Sequence, residues 1–271
     1  MNKAIVVNSF GRGGSNILVN MLSASPDVIV ADREFWQMYY KLWNLPPKVY
    51  RRFGVKSGQF ISNLLFNDTQ FKVRLEESIT RSMKNDFQLR EKRELTGISP
   101  KYVLLKVTEY DVFLNSQIER NFDHVEFIGL ARNGYSLCDS WKRRGTSPRV
   151  GGKMYNHILG RMREEANVRN NYRIIRFEDM LSDPVGFIQD IYSKLELSSP
   201  SDDSYLYYKK GFGPGNEGSS DDKRVMSVIN IKEWNSILKS EVSKNAKDRL
   251  SEPDLADFER NAKLVMDGLY D

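Results

Sequence analysis

The chain has 271 residues, 40% hydrophobic and 11% aromatic, enough to bury a core in one large domain or two small ones. Its 41 Lys and Arg against 36 Asp and Glu leave a net charge of +5; this suits an anionic nucleotide or acceptor, and no basic tract interleaved with aromatics points to nucleic acid. A single cysteine, Cys138, excludes an internal disulfide, two histidines speak against a Cys/His zinc site, and no run of about 18 apolar residues reads as a membrane span.

Residues 3–7 are short, apolar and β-branched, which predicts a buried parallel strand, and residues 17–22 predict a helix. The turn between them carries Gly11, Arg12, Gly13, Gly14, Ser15 and Asn16. Glycines let backbone N–H groups approach an anion, a helix start adds partial positive charge, and Arg12 adds a forked donor. The turn is not a Walker A loop, because Gly14 is followed by Ser15 and Asn16 rather than by Lys and Ser/Thr.

The helix stops at Ser25-Pro26, and residues 28–30 predict a second strand that empties into Asp32, Arg33 and Glu34. A carboxylate just past a strand end sits where open α/β sheets put ligands, although Asp32 as a helix N-cap with Glu34 in the first turn is the bland alternative. Pro46 and Pro47 break a helix, Arg51, Arg52 and Lys56 read as solvated charges, and 60–66 and 71–87 predict amphipathic helices. Residues 102–107 predict a strand with Lys106 at its end and Glu109 just beyond, a third carboxylate candidate. Another strand is predicted over 125–130, followed by Arg132 and, eight residues on, Ser140. A helix is predicted over 154–168, a strand from 172, a helix over 185–195, an aperiodic Ser/Gly/Asp/Tyr-rich loop over 199–222, and an amphipathic helix over 255–269. His157 and His124 receive no chemical role.

The strand, Arg12-Gly13-Gly14-Ser15 and helix together resemble the first loop of the sulfotransferases, which use 3′-phosphoadenosine 5′-phosphosulfate (PAPS) as donor. Met21 to Val28 resembles the family's leu-leu-ser-x-his-pro-asp-val stretch, with Ser25 in place of histidine. Arg132 and Ser140 stand at the spacing of its 3′-phosphate loop, with Gly134 where proline is usual, and Phe177-Glu178-Asp179 resembles its Tyr-Glu-Asp corner. The motif style is closest to the heparan-type and tyrosylprotein enzymes. The catalytic histidine of the cytosolic aryl and steroid enzymes is missing, because Lys106-Val107-Thr108 stands for their Lys-Thr-His.

The resemblance implies a P-loop-like α/β fold, a central parallel sheet flanked by helices, in a single domain over 1–271. It implies in-line transfer of a sulfuryl group from PAPS to an acceptor hydroxyl on a carbohydrate, protein or small alcohol, without a metal. In that scheme Glu34 is the base, with Asp32 behind it. Arg12, the amides of Gly13, Gly14, Ser15 and Asn16, and Lys106 face the phosphosulfate, while Arg132, Ser140 and Arg144 hold the 3′-phosphate. The loop covering the adenine falls within 199–234, at Lys209-Lys210-Gly211 or from Ser219 to Trp234. With a core strand starting at residue 3 and no N-terminal anchor, a cytoplasmic enzyme or an excised catalytic domain is expected. A P-loop kinase using ATP-Mg and a non-catalytic nucleotide-fold binding protein are the alternatives.

Overall fold

Four apolar stretches do what buried parallel strands do, and a fifth, Tyr172–Arg176, completes a sheet at its edge. The computed structural model describes residues 2–31, 35, 38, 60, 64, 66–92, 99–200, 204–208, 226–230, 233 and 245–263. Among them, β1 (Lys3–Ser9), β2 (Val28–Val30), β3 (Tyr102–Thr108), β4 (His124–Ala131) and β5 (Tyr172–Arg176) form a parallel sheet in the order β2-β3-β1-β4-β5. The helices are α1 (Ser15–Leu22), α2 (Asp68–Lys92), α3 (Asn115–Glu119), α4 (Gly134–Lys142), α5 (Pro148–Val168), α6 (Phe177–Ser182), α7 (Pro184–Lys194) and α8 (Glu252–Asn261). A 3-10 turn, Glu109–Leu114, follows β3.

Successive side chains along the central strands point to opposite faces, and both faces are dry. On one, Val6, Val103, Leu105 and Phe127 meet Leu137 of α4, Tyr155 and Ile158 of α5 and Phe258 of α8. On the other, Ile5, Val7, Leu104 and Ile128 meet Leu18 and Leu22 of α1 and Ile188 and Ile191 of α7. Each such aliphatic side chain contributes about 1.5–3 kcal/mol on full burial. None of the described helices is long and apolar enough to cross a membrane.

The connectivity sets the position of the site. The chain leaves β1 for β2, returns to β3, then crosses to β4 and β5 on the other side of β1. Ser9 at the end of β1 is level with Thr108 of β3 and Leu130 of β4. The strand order therefore reverses at β1, and the crevice beyond these carboxyl ends is where such sheets bind ligands.

The Ser25-Pro26-Asp27-Val28 stretch turns out to be a corner. Asp27, 2% exposed, accepts at Oδ2 from the Ser198 N–H (2.7 Å) and pairs at Oδ1 with Lys101 Nζ (2.9 Å). Its carbonyl accepts from the N–H groups of Lys101 and Tyr102, which starts β3 beside β2. Burial pushes the Asp27 carboxyl up, but the bonds from Ser198 and Lys101 outweigh it and hold the pKa below the usual carboxylate range. With the folded pKa depressed, the stabilisation is present above the unfolded value of about 4 and is lost as pH falls through the folded one. Asp27→Asn is expected to lower stability at neutral pH by about 1–3 kcal/mol and to flatten the loss of stability below about pH 4, as read by urea unfolding at several pH values.

Two expectations are corrected. Residues 199–222 are not all aperiodic: β6 (Ser204–Tyr208) pairs antiparallel with β7 (Met226–Asn230) in a two-stranded ribbon, with Ser204 opposite Asn230 and Tyr208 opposite Met226. The Tyr-rich segment has strand propensity of its own, which the surrounding Gly, Ser and Asp masked. Ser251 caps α8 in a reciprocal box with Asp254, so that helix starts at Glu252, ahead of the expected residue 255. The expected helix over 60–66 lies mostly outside the described residues.

Candidate active site

The turn after β1 is built on left-handed backbone. Arg12 has φ +73° and Gly14 has φ +92°, and Gly14 is the N-cap of α1. The Gly13 N–H closes the turn on the Phe10 carbonyl (2.8 Å), and Ile17 N–H bonds to Gly14 O (3.0 Å). The first-turn amides of a helix have no partner within it, so Ser15 and Asn16 bring donors and the positive end of the α1 dipole to this turn. A non-glycine residue in left-handed backbone costs energy and concentrates at functional sites.

Two further strand ends supply charge. Lys106, 7% exposed near the end of β3, donates from Nζ to Asn16 Oδ1 (2.9 Å), which fixes the ammonium over the first turn of α1. Arg132, 7% exposed just past β4, donates from Nη1 to the Arg12 carbonyl (2.7 Å). Arg12 donates from Nε to Ser140 Oγ (3.3 Å) on α4. Residues 12, 16, 106, 132 and 140 thus come together from three separate stretches of chain. Burial lowers the Arg12 pKa, and the nearby charges of Arg144 and then Arg143 lower it further. Arg144 accordingly belongs to the same positive field, while Arg143 pairs with Asp139 (3.2 Å) and Lys142 with Asp254. Like charges gathered at one turn favour an anion between them.

The packing around these groups was not legible in the sequence. The Phe177 ring lies against Gly14, where a Cβ would come within 2.2 Å of Cε2, and the Arg132 guanidinium stacks over it at 4.5 Å. Trp141 Nε1 donates to Gly11 O (2.8 Å), and Tyr155 OH donates to Arg132 O (3.2 Å) while its ring stacks on Phe10 at 5.2 Å. Asn133 caps α4 by accepting from the Tyr135 and Ser136 N–H groups, and its own N–H donates to Glu178 Oε1 (3.0 Å). The Phe177-Glu178 corner therefore supports both loops. The recoverable signals were the Phe177-Glu178-Asp179 stretch and the aromatic after Ser140, which is Trp141.

Other residues fall into structural roles. His157 stacks on Phe113 at 4.6 Å, and His124 lies 3.2 Å from Glu126 away from the crevice. Burial, with help from Asp254 and Asp139, pushes the Cys138 thiol up to about 12, so it is no nucleophile. Glu34 and Asp32 lie outside the described residues, as do Lys209-Lys210-Gly211 and, of the stretch from Ser219 to Trp234 expected for the adenine loop, Ser219 to Val225 and Trp234.

No protein-family model matches the sequence, and no curated protein does either. Solved structures do match. The sulfotransferase domain from the Synechococcus PCC 7002 olefin synthase is 14% identical, with a TM-score of 0.55 over 99% of this chain and 96% of that one. The sulfotransferase domain from the curacin biosynthetic pathway is 15% identical, with a TM-score of 0.57 over 98% of each chain. The α/β architecture with its central parallel sheet is the sulfotransferase fold.

Proposed function

We propose that the chain is a PAPS-dependent sulfotransferase acting on an acceptor hydroxyl. The observation that carries the reading is the junction of two loops 120 residues apart: Arg132 bonded to the Arg12 backbone, and Arg12 bonded to Ser140. One donor with two separated anionic groups suits such a pair of linked cationic foci. The turn from Arg12 to Asn16, with Lys106, faces the phosphosulfate; Arg132, Ser140 and Arg144 face the 3′-phosphate, which ATP and ADP lack.

Transfer is in-line. The acceptor oxygen attacks sulfur while a carboxylate takes its proton, for which the family resemblance points to Glu34. The bond from sulfur to the bridging oxygen breaks, and adenosine 3′,5′-bisphosphate (PAP) leaves. Arg12, Lys106 and the turn amides balance the charge that grows on that oxygen. The cations are side chains, so this scheme calls for no metal. A carboxylate base favours carbohydrate or protein hydroxyls as acceptors.

The test is PAP release from ³⁵S-labelled PAPS in the presence of separate pools of sugars, hydroxyl-bearing peptides and simple alcohols. Label moving to one pool with matching PAP release is expected. Label that stays on PAPS in every pool, with ATP-Mg turned over instead, overturns the reading.

A further inference from the structure

Four described residues other than glycine have left-handed backbone, and two of them, Arg12 and Glu109, follow the neighbouring strands β1 and β3. Glu109 follows β3 directly, with φ +59°, and the pairing of Ser9 with Thr108 sets it next to Phe10 and Gly11. Its carboxylate lies against Gly11: a Cβ there would stand 2.4 Å from Oε1 and 3.3 Å from Cδ. The other side of the same peptide is pinned by Trp141 Nε1 on Gly11 O. An acidic residue opening a short helix gains from the helix dipole in ordinary backbone. It needs neither left-handed φ nor a glycine opposite. Both features serve to place the carboxylate against the turn that carries Arg12, three residues beyond Lys106 in the same crevice. Glu109 is also partly open to solvent, so an acceptor can reach it.

We propose that Glu109 is a catalytic carboxylate that accepts the acceptor's proton, an inference that rests on the sulfotransferase reading. The acceptor O–H proton passes to the Glu109 carboxylate as the oxygen forms its bond to sulfur. The sulfur–bridging oxygen bond breaks with its electron pair on the departing PAP, and the proton then returns to solvent. The family resemblance assigns base chemistry to the segment after β2. Glu109 instead follows β3, one residue past Thr108, which stands where other members carry histidine.

The experiment is single-turnover transfer from ³⁵S-PAPS to butan-1-ol and to water by the full chain, as wild type, Glu109→Gln, Glu109→Asp and Glu34→Gln. PAP-induced thermal stabilisation is recorded for each. Glu109→Gln is expected to slow transfer on the order of 100-fold or more while keeping the wild-type PAP shift, with Glu109→Asp recovering part of the rate. A Glu109→Gln rate within about threefold of wild type overturns the inference, whatever Glu34→Gln does. A wild type stabilised by PAP but transferring to neither probe also counts against Glu109 as a working base. A wild type that neither binds PAP nor transfers strikes the sulfotransferase reading itself.

Discussion

Arg132→Ala is expected to weaken PAP binding by about 100-fold, because charge-assisted hydrogen bonds contribute about 1.5–3 kcal/mol each and tenfold in affinity is about 1.4 kcal/mol. The guanidinium is buried, stacked on Phe177 and held by the Arg12 carbonyl, so its position is set before any ligand arrives. Preorganisation of this kind limits the entropy lost on binding. Affinity for ADP, which lacks the 3′-phosphate, should change by less than about threefold, and Arg132→Lys should recover only part of the loss because a lysine cannot fork onto a phosphate. Calorimetric titration of both nucleotides against both variants checks this. An equal loss for PAP and ADP would show that the residue acts on the fold of the turn rather than on one phosphate.

Gly14→Ala is expected to be the most damaging single methyl in the site. The residue has φ +92°, and the added Cβ would lie 2.2 Å from one Phe177 ring carbon and 2.3 Å from another. Left-handed backbone costs an alanine about 1–2 kcal/mol, and forcing a methyl into a filled space costs about 1–3 kcal/mol more. A loss of about 2–5 kcal/mol follows, with PAP binding lost as well, because the ring that must move also carries Arg132. Gly145 is the control: its φ is +82°, yet nothing lies within 4 Å of a Cβ built there. Gly145→Ala should therefore cost only the backbone part, about 1–2 kcal/mol, when both variants are unfolded in guanidinium chloride. Equal losses at the two positions would mean that the Phe177 contact contributes nothing.

Much of the fold was legible because buried parallel strands are written as unbroken apolar runs. Residues 3–7, 28–30, 102–107 and 125–130 all fall within observed strands of the sheet. The residues at their carboxyl ends could then be read as site residues from the general habit of such sheets, and Arg12, Asn16, Lys106, Arg132 and Ser140 do lie together. What could not be read is any relation fixed by tertiary packing. No local pattern joins Gly14, Arg132 and Phe177, although they form one stack. Nor does any periodicity reveal that Glu109 takes left-handed backbone. The Ser25 to Val28 stretch, read in the sequence for its family resemblance, is also a structural corner closed by Ser198 and Lys101, a role no local pattern reveals. The β6–β7 ribbon was hidden because pairing, rather than composition, defines it.

The most direct measurement is calorimetric titration of the wild-type chain with PAP, ADP and ATP-Mg under the same salt. The two linked cationic foci predict that PAP binds at least about tenfold tighter than ADP, equivalent to 1.4 kcal/mol for the 3′-phosphate, and that magnesium brings ATP no advantage. ATP-Mg binding as tightly as PAP, or tighter, would contradict the account and turn the site toward phosphoryl transfer.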